Sequence, residues 1–176
     1  RGGETETAML RDARRWGMQI VPVTRARYRR RDQDDWLQTL QQRFGPCVII
    51  PEGGANVEGL QGCVEIAHAI NAIGQDFTRV VVSVGTATTL AGIAAALACA
   101  EELIGVAAVK GGADLETRAD ALLTESGLCA QVPWQILHDD HCGGFARVSG
   151  ELQAFMLDFE SVQGIQLEPV YTGKTL

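Results

Sequence analysis

Short apolar segments alternate with segments of helical periodicity along most of the chain, and this alternation constrains the fold most strongly. Residues 80–84 (Val-Val-Val-Ser-Val) form an apolar run of strand length. A small-residue turn and an alanine-rich helical segment at residues 88–100 follow it. Strands that alternate with helices are typical of parallel sheets, because a parallel connection needs a crossover. The pattern predicts an α/β fold, with a parallel twisted sheet and flanking helices.

Further segments extend the same pattern. The other predicted strands are residues 18–22, 47–50, 103–109 and 134–137. The predicted helices are residues 6–16, 36–44, 57–73, 88–100, 115–124 and 150–159. Residues 24–35 hold five arginines followed by three aspartates, which predicts a solvated loop of balanced charge. A basic patch for an anionic partner is the alternative for that loop.

Composition excludes several classes of function. With 46% apolar residues in a chain of 176, the protein is not a disordered tail. No apolar run reaches the roughly 20 residues of a membrane span, and residues 1–4 lead into no signal-peptide core. The formal net charge of -7 argues against a nucleic-acid partner. We therefore expect a small-molecule partner, with no nucleic acid and no membrane.

Cysteine usage indicates the cellular compartment. Five cysteines are spread along the chain without a Cys-x-x-Cys pair: Cys47, Cys63, Cys99, Cys129 and Cys142. An odd number at wide spacing is neither a disulfide framework nor a zinc pattern. A reducing, cytoplasmic location is expected.

Histidine and aspartate residues adjoin one another near the carboxyl end, as His138-Asp139-Asp140-His141 followed by Cys142. Consecutive residues rarely converge on one ion, and no second cluster completes a ligand shell. The sequence therefore predicts no metal site.

The sharpest local feature is the turn between the strand at residues 80–84 and the helix that follows. Free N–H groups at a helix start bind anions, and small side chains let a phosphate approach them. The hydroxyls of Thr86, Thr88 and Thr89 add further donors. The sequence equally allows an ordinary strand-to-helix turn with threonine caps. The spacing of Gly85 and Gly92 does not fit a dinucleotide fingerprint, and no helix is predicted after residues 173–175 to make a P-loop.

Three motifs in order resemble one enzyme family. They are Ile-Pro-Glu-Gly-Gly-Ala-Asn at residues 50–56, the turn at residues 83–92, and Glu-Pro-Val-Tyr-Thr-Gly-Lys at residues 168–174. Together they resemble the D-cysteine desulfhydrase and 1-aminocyclopropane-1-carboxylate deaminase family, whose members use pyridoxal 5'-phosphate. The resemblance runs along essentially the whole chain. It implies a tryptophan synthase β-like fold, that of fold type II pyridoxal-phosphate enzymes.

The resemblance also implies roles for individual residues. In the family the hydroxyl-rich turn holds the cofactor phosphate, a role that falls on Gly85, Thr86, Ala87, Thr88 and Thr89.

The last motif and a glycine loop supply the remaining positions. Tyr171 matches the family's catalytic tyrosine at the reacting carbon, and Thr172 matches the residue that faces the pyridine nitrogen. Phe145 stands where most relatives have a tyrosine in the substrate pocket.

Thr172 bears on the reaction. Deaminases of the family carry glutamate there and desulfhydrases carry threonine, so the resemblance favours the second group. A carboxylate keeps the ring nitrogen protonated, whereas a hydroxyl leaves it largely neutral and the ring a weaker electron sink. A good leaving group such as thiolate tolerates the weaker sink. We therefore expect β-elimination from a small D-amino acid, converting D-cysteine to pyruvate, ammonia and sulfide. The alternatives are 1-aminocyclopropane-1-carboxylate deamination and a non-enzymatic module that binds an anion or a nucleotide.

Two family motifs do not occur in the chain. Neither the Gly-Asn-Lys motif of the Schiff-base lysine nor the Ser-Asn-His motif is present, and the two lysines, Lys110 and Lys174, lie in other contexts. We therefore expect a fragment that is inactive by itself. Residues 1–50 would be the remainder of the smaller domain, and residues 51–176 most of the larger cofactor-binding domain. The resemblance also implies a homodimer.

Overall fold

The computed structural model describes residues 6–176, and the prediction about a signal peptide at residues 1–4 lies outside them. The chain divides into two units, one ending at Ile49 and the other spanning Ile50–Leu176. This division lies beside the predicted domain boundary. The identity of the first unit as part of a smaller domain stays a prediction.

The described residues form eight α-helices, three strands and one 3-10 turn. The helices are α1 Ala8–Arg15, α2 Arg25–Tyr28, α3 Asp34–Phe44, α4 Val57–Asn71, α5 Thr88–Ala96, α6 Leu115–Ser126, α7 Gly150–Gln163 and α8 Thr172–Thr175. The strands are β1 Phe77–Val84, β2 Ala100–Ala107 and β3 Trp134–Leu137, and the 3-10 turn is Glu52–Gly54.

The three strands make one parallel sheet in the order β1-β2-β3. Val84 pairs with Ala107, and Val106 pairs with Leu137, so the carboxyl ends of all three strands meet at one edge. Helix α5 packs against α4, α6 and the sheet. The fully buried core side chains include Leu60, Leu90, Leu97, Leu103, Leu115 and Val84. This architecture confirms the predicted fold class, and ligand sites of such sheets lie at that carboxyl edge.

Two predicted strands are wrong. Residues 18–22 and 47–50 adopt no regular secondary structure and pair with no strand among the described residues. Val48 is 91% exposed and Ile50 is 79% exposed, so neither side chain is buried as the prediction required. A strand is defined by its ladder of hydrogen bonds, and apolar composition alone does not supply a neighbour.

The helix predicted at residues 88–100 ends early, at Ala96. The Asn71 side chain accounts for this: its amide nitrogen donates to the Ala96 carbonyl at 2.8 Å, and its oxygen accepts the Ala98 N–H at 2.9 Å. These bonds satisfy the end of α5 and turn the chain into β2, which begins at Ala100.

The segment predicted as a solvated loop contains one helical turn, α2, which the Thr24 hydroxyl caps. Its charges are balanced as expected: Arg30 donates to Asp35 at 2.5 Å, and the Arg27 guanidinium lies 4.3 Å from the centre of the Trp36 ring.

Candidate functional site

The turn between β1 and α5 leaves the first N–H groups of a buried helix without a side-chain cap. The N-cap residue is Ala87, and no side chain bonds to the helix start. The alternative of a threonine-capped turn is therefore wrong. Ala87 holds φ at 68°, a left-handed conformation that costs a non-glycine residue roughly 1–2 kcal/mol. Such strain is concentrated at functional sites.

Threonine hydroxyls surround this helix start. Thr88 is only 3% exposed, and its hydroxyl lies 3.0 Å from that of Thr86. The Thr89 hydroxyl accepts a weak bond from the Cys63 thiol, 3.8 Å away on α4. Each threonine hydroxyl retains hydrogen-bonding capacity beyond these contacts, because it carries one donor and two lone pairs.

A cavity of about 370 Å³ opens at this turn. Its lining residues are Gly53, Val82, Ser83, Gly85, Thr86, Ala87, Thr88, Thr89, Leu90 and Tyr171. The structure thus brings together all five residues predicted to hold a phosphate, and it adds the predicted catalytic tyrosine from 82 residues further along the chain.

Gly53 is a wall residue whose role sequence reasoning missed. An added Cβ there would lie 2.6 Å from the Cγ2 and 2.8 Å from the Oγ1 of Thr86, and its φ is +67°. Glycine therefore lets the 3-10 turn lie directly against the turn at residues 85–89. The signal was available, because Gly53 belongs to one of the three motifs that carry the family resemblance.

Tyr171 lies where two cavities meet. The second cavity, about 390 Å³, shares Gly53, Gly85, Thr86 and Tyr171 with the first. Its other lining residues are Glu52, Val109, Gly111, Gly112, Asp114, Leu115, Arg118 and Phe145. The Phe145 and Tyr171 rings meet edge to face with centroids 6.0 Å apart. The predicted substrate-pocket residue thus lies beside the predicted catalytic residue.

The chain at Tyr171 is held by one carboxylate. Glu168 accepts the N–H groups of Val170 at 2.8 Å, Tyr171 at 2.5 Å and Thr172 at 2.7 Å. The Thr172 hydroxyl accepts the Glu168 N–H at 2.9 Å, and Thr172 lines neither cavity. Its role opposite the ring nitrogen stays a prediction. A neighbouring hydroxyl, that of Thr175, lies 2.7 Å from Ser83 in the first cavity's wall.

The acidic and histidine side chains near the second cavity form pairs. Arg118 donates to Asp114 at 2.7 and 2.9 Å, and this bond lowers the pKa of Asp114. His138 lies 2.6 Å from Glu116 and lowers the pKa of that carboxyl through their hydrogen bond. His141 accepts the Gly143 N–H and is thus engaged locally.

Within residues 6–176, no three His, Cys, Asp or Glu side chains are grouped as metal ligands. In the same part of the chain, no helix combines the length and apolarity needed to cross a membrane.

The residues present fit a phosphate-bearing cofactor. Uncapped N–H groups, threonine hydroxyls and small side chains lie together at a helix start, which is the donor set that phosphate requires. The aromatic wall of Phe145 and Tyr171 suits the flat ring of an aromatic cofactor or the apolar part of a small substrate. Fold and site together define an α/β domain with a cavity at an uncapped helix start, at the carboxyl edge of its sheet.

Comparison with known proteins identifies the family. The chain matches the pyridoxal-phosphate dependent enzymes over residues 3–176, and it belongs to that family. It is 34% identical over 146 residues to a Pyrococcus furiosus protein named "Putative 1-aminocyclopropane-1-carboxylate deaminase", covering 77% of this chain and 44% of that protein. It is 35% identical over 138 residues to the D-cysteine desulfhydrase of Klebsiella pneumoniae, covering 73% of this chain and 42% of that enzyme.

A solved structure described as an ACC deaminase homologue shares the fold. It superposes with a TM-score of 0.79 at 22% identity, covering 99% of this chain and 56% of the other. The predicted fold type II architecture and the predicted pyridoxal-phosphate cofactor are thereby confirmed at the level of the family. The chain spans about half the length of the curated relatives it matches.

Proposed function

We propose that this chain supplies the phosphate cradle and one aromatic wall of a pyridoxal-phosphate-dependent lyase that eliminates a β-substituent from a small D-amino acid. With D-cysteine and water the products are pyruvate, ammonia and sulfide. The observation that carries the proposal is the cavity that residues 85–89 line together with Tyr171.

Each part of the site has a distinct task in this proposal. The cradle at residues 85–89 binds the phosphate and fixes the orientation of the cofactor. When bound, pyridoxal phosphate supplies an electron sink for the carbon that bears the amino group. Tyr171 presents its phenol at the junction of the two cavities, where it can hold or donate a proton at its Oη. Phe145 limits the size of the substrate beside it.

Thr172 supports elimination over ring opening in this proposal. An uncharged hydroxyl leaves the cofactor nitrogen largely neutral, which suffices when thiolate departs early. The names of the relatives support both activities, so 1-aminocyclopropane-1-carboxylate deamination is the second candidate.

The intact gene product decides between the two candidates. We expect sulfide release from D-cysteine to exceed 2-oxobutyrate release from the cyclopropane amino acid. Thr172→Glu is expected to shift this ratio toward ring opening, whereas Thr172→Ser keeps the hydroxyl and the original preference. A wild-type preference for the cyclopropane substrate, or a ratio that Thr172→Glu leaves unchanged, contradicts the assignment.

This chain by itself is proposed to bind the cofactor without a covalent bond and to be inactive, because it contains no Gly-Asn-Lys motif. Equilibrium dialysis should detect bound pyridoxal phosphate that inorganic phosphate displaces. Thr86→Val should weaken that binding about tenfold, while Thr86→Ser should preserve it. A new visible absorption band that is lost in Lys110→Met or Lys174→Met would overturn the proposal.

A further inference from the structure

Lys174 is a charged side chain buried in the second unit. It is 6% exposed, and its Nζ donates to the carbonyl oxygen of Gly144 at 2.8 Å. A buried ammonium is costly unless its hydrogen bonds compensate for lost water. The bond to Gly144 joins α8 to a loop 30 residues earlier in the chain.

The loop that Lys174 contacts carries Phe145. Other bonds stay within the loop: the Gly144 N–H donates to the His141 carbonyl at 3.0 Å, the Arg147 N–H donates to the Gly144 carbonyl at 3.1 Å, and the Gly143 N–H donates to the His141 ring at 3.1 Å. These bonds shape the loop itself but do not join it to α8. The Lys174 bond does so directly, one residue before the Phe145 ring.

The residue just before that short helix is the partner of the Phe145 ring. Tyr171 precedes α8 and lies three residues before Lys174, whose N–H donates to the Tyr171 carbonyl at 3.0 Å. One side of the contact between Phe145 and Tyr171 is thus set by the start of α8. The other side is set by a loop that Lys174 holds to α8.

We propose that Lys174 is a positioning residue, which ties the Gly144 carbonyl to α8 and thereby holds Phe145 against Tyr171 in the wall of the second cavity. The assignment of that cavity to a substrate rests on the proposed function. The mechanical role of Lys174 does not. A charged donor is suited to this task because hydrogen bonds from charged groups are roughly twice as strong as neutral ones.

The chain offers a matched control. Lys110, the other lysine, is exposed, and its Cβ lies 3.4 Å from where a Cβ on Gly144 would be. It therefore borders the same loop without the buried bond. Lys110→Met and Lys174→Met remove the same charge from two positions beside Gly144.

Fluorine NMR of this chain labelled with 3-fluorotyrosine tests the proposal without cofactor or substrate. The chain has two tyrosines, so Tyr171→Phe assigns both resonances and Tyr28 serves as the internal reference. Phe145→Leu removes the ring beside Tyr171 and defines the displacement caused by losing that neighbour. Far-ultraviolet circular dichroism establishes that each variant is folded.

We expect Lys174→Met to move the Tyr171 resonance in the same direction as Phe145→Leu does, and at least half as far. The Tyr28 resonance should stay where it is, and the spectrum of Lys110→Met should match that of the wild type. Lys174→Arg, which keeps a cationic donor, should return the signal toward its original position. If the methionine variant does not fold, Lys174→Leu is used for the same comparison.

An unchanged Tyr171 resonance in the folded Lys174 variant overturns the proposal, as does an equal displacement in Lys110→Met. Because no substrate or cofactor is present, these outcomes are independent of the assays on D-cysteine. A wrong reaction and a wrong role for Lys174 are therefore distinguished.

Discussion

Gly92 is a point of close approach between α4 and α5, the helix whose start forms the proposed phosphate cradle. A Cβ at this position would lie 2.4 Å from the Cys63 Cβ and 2.6 Å from the Leu60 carbonyl oxygen. Neither atom can rotate away, since one is part of the backbone and the other is bonded directly to it. Gly92→Ala therefore forces the two helices apart or shifts α5 along the sheet.

The magnitude follows from two opposing effects. Alanine in a helix interior stabilises by about 1 kcal/mol relative to glycine. Overpacking a buried site typically costs 1–3 kcal/mol of stability, and contacts as short as these place the cost near the upper end, at about 3 kcal/mol. The expected net loss is about 2 kcal/mol in the free energy of unfolding, which corresponds to a fall of roughly 4–8 °C in Tm for a chain of this size.

Gly62 provides the matched control. It lies within α4, and a Cβ there meets no atom within 4 Å. Gly62→Ala should therefore show only the helix gain and raise the free energy of unfolding by about 1 kcal/mol. Urea denaturation of both variants measures a difference of about 3 kcal/mol between them. If Gly92→Ala is as stable as the wild type, the close approach of α4 and α5 is not real.

Two further predictions concern the site and its surroundings. Gly53→Ala should weaken phosphate binding about tenfold, because its Cβ displaces the Thr86 side chain. Gly54→Ala is the control, because it has similar backbone strain, at φ +62°, while its Cβ meets no atom within 4 Å. If dialysis shows that both variants weaken phosphate binding equally, the contact with Thr86 is not the cause. The hydrogen bond to His138 lowers the pKa of Glu116, so the ionised Glu116 carboxylate stabilises the fold at neutral pH. This stabilisation is lost as the pH falls and the carboxylate takes up a proton. Glu116→Gln should therefore flatten the fall in urea stability below about pH 4.5, and an unchanged slope would refute this.

The sequence predicted those helix and strand bounds that depend on the residues of the element itself. The strand at Trp134–Leu137 has its predicted bounds, and α5 begins at Thr88 as expected. The end of α5 was not predictable, because it depends on an asparagine side chain 25 residues earlier, on another helix. The strands expected at residues 18–22 and 47–50 failed for a related reason, since apolar patterning indicates burial but does not identify a pairing partner.

In the candidate site, too, local features could be predicted from the sequence and contacts between distant segments could not. The turn proposed to bind phosphate is contiguous in sequence, so its residues and their donor groups could be recognised together. The contact of Gly53 with Thr86 and the bond from Lys174 to Gly144 join segments about 30 residues apart, and no local pattern encodes them. Family motifs identified those segments as important without showing which contacts they make.

The two sides of the site depend on separate supports. Gly92 determines how closely α5 lies against α4, and so where the uncapped N–H groups of the cradle lie. Lys174 acts on the aromatic wall through α8 and the Gly144 carbonyl. Tyr171 lines the first cavity together with residues 85–89, so the effects of the two supports meet at that cavity. A Gly92→Ala change should therefore alter phosphate affinity more than it moves the Tyr171 fluorine resonance, and Lys174→Met should do the reverse. Non-additive changes in phosphate affinity are then expected in the double variant, since sites that share partners show interaction energies of about 0.5–3 kcal/mol.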